Sequence, residues 1–316
     1  MKINKVTMIG LGAMGVWFAP RLEALLGSEN FRVLAGGERG ERLNSRGVTA
    51  NGVNHRFRVI SPALQGDPAD LILMAVKDTG LKQAIEDIRN QVGPQTVILS
   101  VMNGIDSEEL LAAAYGWEHV LYSFMRVSIV MKDGVANFDP GFGKVHFGEA
   151  KNDVLSERVL AVKALFDAAD IPYEIDADMI KGMWFKFMCN VGENLTCALL
   201  GIPFGAYRVS DHANAIRRKA MWEVVHVANK LGIALGVEDI ERQEPQIKRL
   251  PFFNKPSTLQ DLESGRRTEI EMFAGKMVKL GEELGVETPL CWMFYHGIRV
   301  LEEKNRGLFH SDVSTQ

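Results

Sequence analysis

Residues 5–15 read Lys5-Val6-Thr7-Met8-Ile9-Gly10-Leu11-Gly12-Ala13-Met14-Gly15, a short apolar run that breaks into three glycines at Gly-x-Gly-x-x-Gly spacing. The run 5–9 predicts a strand, and apolar residues at helical spacing over 14–26 predict a helix that opens inside the loop. The three glycines then serve different ends. Gly10 allows the tight turn, Gly12 lets backbone N–H groups approach a pyrophosphate, and Gly15 lets helix and strand pack closely. The helix N-terminus adds partial positive charge. The loop is expected to hold a dinucleotide through Gly10, Leu11, Gly12, Ala13, Met14 and Gly15. The plain alternative is a close-packed turn that binds nothing.

Working outward, apolar β-branched runs at 31–35, 71–75 and 96–100 alternate with helical patterns such as 79–90. That alternation is the mark of a parallel sheet covered by helices, and with the glycine loop it predicts a Rossmann-type, doubly wound α/β domain. Asn51-Gly52 predicts a two-residue hairpin turn, with Phe57 and Val59 alternating against Arg56 and Arg58. Further extended segments at 122–130, 135–138 and 144–147, punctuated by Asp133-Gly134 and Asp139-Pro140-Gly141, are expected to extend that sheet. After 173–175 the strand signals fade. Helical patterns at 178–197, 213–231, 268–284 and 290–303 predict a second, all-helical domain, giving an expected division into 1–175 and 176–316.

The end of the second strand decides which dinucleotide the loop prefers. An NAD site favours an Asp or Glu there to accept from the ribose 2′-hydroxyl. Here the stretch is Ala35-Gly36-Gly37-Glu38-Arg39, where the glycines leave room and Arg39 or Arg42 can neutralise a 2′-phosphate. NADP(H) is the expected cofactor, with Glu38 the opposing signal.

Composition removes other classes. The chain of 316 residues carries 36 Lys+Arg against 40 Asp+Glu, a net charge of −4, which offers no basic field for a nucleic acid. The apolar stretches 71–76 and 179–200 are too short for a bilayer or are broken by Lys181, Lys186 and Glu193, so no membrane span is expected. The N-terminus lacks the pattern of a secretory signal, and a cytoplasmic location is the expectation. Three cysteines without Cys-x-x-Cys pairing fit reduced thiols. The seven histidines show no zinc spacing, and no metal site is expected.

The second domain's chemistry is concentrated at 184–199. Lys186, Asn190 and Asn194 recur every four residues and form one polar stripe on an otherwise apolar helix. Burying a lysine and two amides without partners costs several kcal/mol, so protein groups or a ligand must satisfy them. A snorkelling lysine beside capping asparagines is the bland reading.

Trp184-x-Lys186-x-x-x-Asn190-x-x-x-Asn194-x-Thr196-x-Ala198-Leu199 resembles the central motif of the ketopantoate reductases, also called 2-dehydropantoate 2-reductases. The resemblance runs along nearly the whole chain: the glycine loop, Ala75-Val76-Lys77, Val101-Met102-Asn103-Gly104, Pro256-Ser257-Thr258-Leu259-Gln260-Asp261 and Arg267-Thr268-Glu269-Ile270-Glu271 follow in order. It implies an NADPH-dependent reductase of a small 2-oxo acid, with ketopantoate the first candidate in pantothenate biosynthesis, and a homodimer as the assembly to test. Residue by residue, it implies that Lys186 acts on the substrate carbonyl and that Glu269 orients Lys186 or accepts from a substrate hydroxyl. It assigns Asn190, Asn194, Asn254 and Ser257 to the substrate, and Lys77, Asn103 and Glu269 to the cofactor and the substrate-side groups. Several members carry an arginine where this chain has Gly36, and Arg39 is then expected to take that role. Phe204, Gly205 and Tyr207 are expected to wall the substrate pocket. Two alternatives stay open: a related NAD(P)-dependent 2-oxo acid or 3-hydroxyacid dehydrogenase, and a non-catalytic NADP-binding sensor.

Overall fold

The computed structural model describes residues 1–309 other than 128, 133, 134, 140 and 142. It divides into two compact units, Met1–Ile180 and Lys181–Gln316.

Among its described residues the first unit carries twelve strands: β1 (Val6–Ile9), β2 (Phe31–Leu34), β3 (Val48–Ala50), β4 (Val53–His55), β5 (Arg58–Ile60), β6 (Ala69–Met74), β7 (Val92–Ser100), β8 (Val120–Arg126), β9 (Val130–Lys132), β10 (Val135–Asn137), β11 (Lys144–Gly148) and β12 (Tyr173–Glu174). Its helices are α1 (Ala13–Leu26), α2 (Gly37–Arg46), α3 (Leu81–Asp87), α4 (Ser107–Tyr115) and α5 (Glu157–Ala168). The main sheet runs β12-β11-β8-β7-β6-β1-β2-β5. From β5 to β8 every pairing is parallel. That is the doubly wound order, reversing direction at β1.

Successive side chains of a strand point to opposite faces, and here both faces are covered. Leu71, Leu73, Val97 and Leu99 join one core with Val16, Phe18 and Leu22 of α1 and Val162 and Phe166 of α5. Ile72, Met74 and Ile98 join the other core with Leu81 and Ala84 of α3 and Leu111 of α4. This is why the central strands read as continuous apolar runs.

Asn51 and Gly52 both take positive φ, 48° and 80°, and turn β3 antiparallel onto β4 as the hairpin signal predicts. Part of the second set of strands departs from expectation. Whereas β8 and β11 do extend the main sheet, β9 and β10 leave it and pair with the hairpin in a separate four-stranded sheet, β4-β3-β10-β9. The local pattern carries strand character but holds no information on which edge will be open to it. Asp133, Gly134 and Pro140, expected to punctuate this region, lie outside the described residues.

The helices after 175 are α6 (Met179–Cys189), α7 (Leu195–Leu200), α8 (Asp211–Lys230), α9 (Val237–Arg249), α10 (Ser257–Glu263), α11 (Lys276–Leu284) and α12 (Pro289–Asn305). No strand occurs there among the described residues. The helix expected at 178–197 is not uniform: a π turn, Asn190–Asn194, separates α6 from α7. A second π turn, Glu271–Gly275, precedes α11. Apolar spacing of three and four residues cannot register such a widening, because one π turn shifts the helical face without breaking the run.

Candidate functional site

In the first unit the three glycines separate into two kinds. At Gly10, where φ is +94°, a β-carbon would stand 2.5 Å from the carbonyl of Ala75. At Gly15 it would stand 2.1 Å from the Gly10 oxygen. Neither place admits a side chain, so these two let the chain close on itself. At Gly12, the N-cap of α1, a β-carbon would meet nothing within 4 Å, and the first N–H groups of the helix are reached through that open space. Leu11 is buried, and Ala13 and Met14 are half-buried.

The loop lies at the carboxyl ends of the strands, where the sheet order reverses. Ala75 N donates to Ile9 O (2.8 Å), and Val101 N donates to Met74 O (2.9 Å). The segments after β6 and β7 therefore leave at the same edge as the glycine loop. They bring exposed Lys77 and half-buried Asn103 to that edge. Open sheets of this kind receive ligands there, and the open cradle at Gly12 fits a dinucleotide pyrophosphate.

At the end of β2, Gly36 is exposed and caps α2, with Pro62 Cδ 3.3 Å from where its β-carbon would be. Arg39 follows in the first turn of α2. Partial desolvation, and then the like charge of Arg42, hold its guanidinium below its ordinary pKa. An anion beside the pair would relieve that repulsion.

In the second unit, Lys186 stands in the last turn of α6, half-buried between buried Phe185 and Phe187. Asn190 opens the π turn and Asn194 closes it; both are half-buried, and Asn194 Nδ2 donates to Asn190 Oδ1 at 3.2 Å. The two amides are thus neighbours on one side of the turn. Glu193, between them in sequence, is turned inward and buried. Among the described residues, α10 and the second π turn pack against this first one.

Ser257 is the exposed first residue of α10, with Pro256 at the N-cap. Asn254 is half-buried, and its carbonyl accepts from Phe204 N at 2.9 Å. Glu269 is half-buried and follows buried Thr268, whose N–H and hydroxyl both donate to Glu302 Oε1 at 2.7 Å. Burial alone would raise the Glu302 pKa, but those two bonds and Arg299 hold it below the usual carboxylate value.

Of the three residues expected to wall the pocket, Phe204 is half-buried, while Tyr207 and Gly205 are taken up by contacts within the second unit. Tyr207 is 1% exposed and sends its hydroxyl to the Glu193 carbonyl (2.8 Å). Gly205 is covered by Phe252, whose ring would lie 2.3 Å from an added β-carbon. The place of Tyr207 in the loop after the motif helix suggests lining, yet its hydroxyl is drawn inward by the Glu193 carbonyl. Sequence reasoning does not single out Glu193, Arg217 and Gln243 as site residues. A charged residue inside an apolar helical run is the signal that could have found the first of them.

The family model described as Ketopantoate reductase PanE/ApbA matches residues 6–152, and its C-terminal counterpart matches 178–302. The chain belongs to the ketopantoate reductase family. It is an oxidoreductase acting on CH–OH groups, as that membership shows. A 2-dehydropantoate 2-reductase from Streptococcus pyogenes is 27% identical over 240 residues, covering 75% of this chain and 78% of that one. Another from Pyrococcus horikoshii is 25% identical over 310 residues, covering 96% and 99%. Among solved structures, D-mandelate dehydrogenase in ternary complex with NADH and anilino(oxo)acetate superposes with a TM-score of 0.84 at 22% identity, over 96% of this chain and 99% of that one. At that identity the likeness is one of fold.

Proposed function

We propose that this ketopantoate reductase family member reduces 2-dehydropantoate to pantoate with NADPH, a step of pantothenate formation, and that Lys186 is the proton donor. One observation carries the reading. Lys186, Asn190 and Asn194 remain half-exposed on a helix whose neighbouring side chains are buried, in a chain that family models match in both halves.

NADPH, when bound, supplies the hydride. Gly12 and the N-terminus of α1 hold its pyrophosphate, Arg39 with Arg42 answers the 2′-phosphate, and Lys77 and Asn103 complete its surroundings. As C2 of the oxo acid accepts two electrons, negative charge grows on its oxygen. The Lys186 ammonium stabilises that charge and delivers a proton to the same atom, giving the 2-hydroxy acid; Lys186 then recovers a proton from water. Asn190, Asn194, Asn254 and Ser257 hold the carboxylate and hydroxyl groups by hydrogen bonds. Glu269 orients Lys186 or accepts from the substrate hydroxyl.

A second reading keeps the chemistry and changes both partners: an NADH-dependent reductase of a bulkier 2-oxo acid. It is favoured by Gly36 and Glu38 at the end of β2, and by the fold likeness to an NADH-bound mandelate enzyme. Steady-state rates with NADPH and NADH, each against 2-dehydropantoate and benzoylformate, separate the two. A kcat/KM with NADPH and 2-dehydropantoate at least about tenfold above the other pairs is expected. A preference for NADH and benzoylformate overturns the first reading, and nucleotide binding without turnover on either acid overturns both.

A further inference from the structure

The π turn between α6 and α7 is held from behind by groups that no role in the reaction has yet claimed. Its second half faces α8. A β-carbon at Gly192 would lie 2.5 Å from Met221 Cγ and 3.0 Å from the Arg217 carbonyl oxygen, so the turn abuts α8 at a place where no side chain fits.

Two main-chain carbonyls of the turn accept side-chain hydroxyls: Gly192 O from Thr196 Oγ1 at 2.7 Å, and Glu193 O from Tyr207 Oη at 2.8 Å. A widened turn exposes carbonyls that a regular i to i+4 ladder would occupy, and buried carbonyls require partners.

The Glu193 carboxylate is divided between two donors. Its Oε1 accepts from Arg217 Nη1 at 3.2 Å, and its Oε2 accepts from Gln243 Nε2 at 3.1 Å. Arg217 is fully buried and gives its other arm to Glu244 Oε1 at 2.6 Å, an oxygen shared with Arg218 at 2.5 Å. The guanidinium also covers the Tyr207 ring, 5.2 Å from its centroid. The turn is therefore tied to α8, to α9 and to the 3-10 segment Phe204–Arg208. Buried charges are costly to assemble, so a network of this kind is better explained by the geometry it fixes than by net stability.

We infer that Glu193, Arg217 and Tyr207 are positioning residues, which hold the π turn and so fix where Asn190 and Asn194 present their amides relative to Lys186. This rests on the substrate-holding role proposed above for the two asparagines. Loss of a tie should let the turn relax toward regular helix, shift Asn194 around the helix axis relative to Lys186 and Asn190, and weaken substrate binding more than turnover.

The test uses full-length Tyr207→Phe, which keeps the ring under Arg217 and removes only the hydroxyl, and Glu193→Gln. Hydrogen–deuterium exchange on nucleotide-free protein should show amides 190–197 exchanging about tenfold faster in both variants, with 6–34 unchanged. The KM for 2-dehydropantoate should rise about tenfold, on the scale of a sub-ångström misplacement, with kcat within about twofold and the KM for NADPH unmoved. Arg217→Lys, which keeps the charge but not the fork, should fall between wild type and Glu193→Gln. Wild-type exchange across 190–197 in Tyr207→Phe, or a fall in kcat at constant KM, overturns the inference. If the wild-type enzyme turns over neither oxo acid, the functional reading fails on its own, and the exchange result still decides whether these residues hold the turn.

Discussion

A β-carbon added at Gly12 would find nothing within 4 Å, whereas one added at Gly192 would run into Met221 and the α8 backbone. The first glycine has open space beside it; the second lets two helices of the protein come together. In the function proposed above, recognition in the N-terminal half is by backbone: N–H groups at a helix start, beside a glycine with open space around it. In the C-terminal half the same proposal assigns it to side chains: an ammonium and two amides on a helix whose π turn is bonded to buried charged groups. Binding through a bare backbone tolerates little change in shape. Binding through braced side chains fails instead when the brace is loosened.

The largest effect that would sharpen this contrast is at Lys186. Lys186→Ala should lower kcat by at least about 10²-fold, the scale of losing one group that stabilises charge on the reacting oxygen, with NADPH affinity intact. Nucleotide titration monitored by fluorescence beside steady-state assays checks both parts. Unchanged turnover would remove the lysine from the chemistry and leave the helical half a scaffold.

Next in size is a contrast within the glycine loop. Gly15→Ala places a methyl 2.1 Å from a main-chain oxygen, and should cost about 3 kcal/mol of stability, at the upper end for overpacking. Gly12→Ala should leave the melting temperature within about a degree, yet weaken NADPH binding by about tenfold or more, because the methyl occupies the space of the pyrophosphate. Thermal denaturation and nucleotide titration of both variants test this. Equal loss of stability in the two would mean that Gly12 serves packing, and would break the distinction between the glycines.

These regions also differ in how far the amino-acid sequence discloses them. The glycine loop can be read directly, since Gly10 and Gly15 are required by steric contacts that any strand–turn–helix of this kind makes. Lys186, Asn190 and Asn194 can be found as a polar stripe, but not the π turn that seats the two asparagines. That turn is bonded by donors on Tyr207, Arg217 and Gln243, which are remote in sequence. The same limit explains β9 and β10: their strand character is local, while their choice of sheet is set by a hairpin some eighty residues earlier. Tyr207 escapes a local reading for a related reason, since whether an aromatic lines a pocket or braces a turn depends on a partner that local pattern does not specify.

The smallest effect concerns pH. The glycine loop offers N–H groups, which do not titrate, whereas the segment leading to Glu269 is fixed by a carboxylate. Thr268 gives Glu302 two hydrogen bonds and Arg299 an ion pair. Against the opposing effect of burial, these hold Glu302 below its ordinary pKa. A carboxyl whose pKa is depressed on folding contributes stability that is complete above its unfolded value, near 4.3 for glutamate, and is lost as pH falls through the folded value. Glu302→Gln should therefore be less stable than wild type by about 1 kcal/mol at pH 7, the size of one weakened charge-assisted hydrogen bond. The gap should close below about pH 4 as the wild-type carboxyl is protonated. Taking the difference between the two melting curves at each pH cancels the other carboxylates, which titrate in both proteins. A gap that persists unchanged to pH 3 would show that shape rather than charge at residue 302 holds the start of this helix, and the two halves would then be alike in resisting acid.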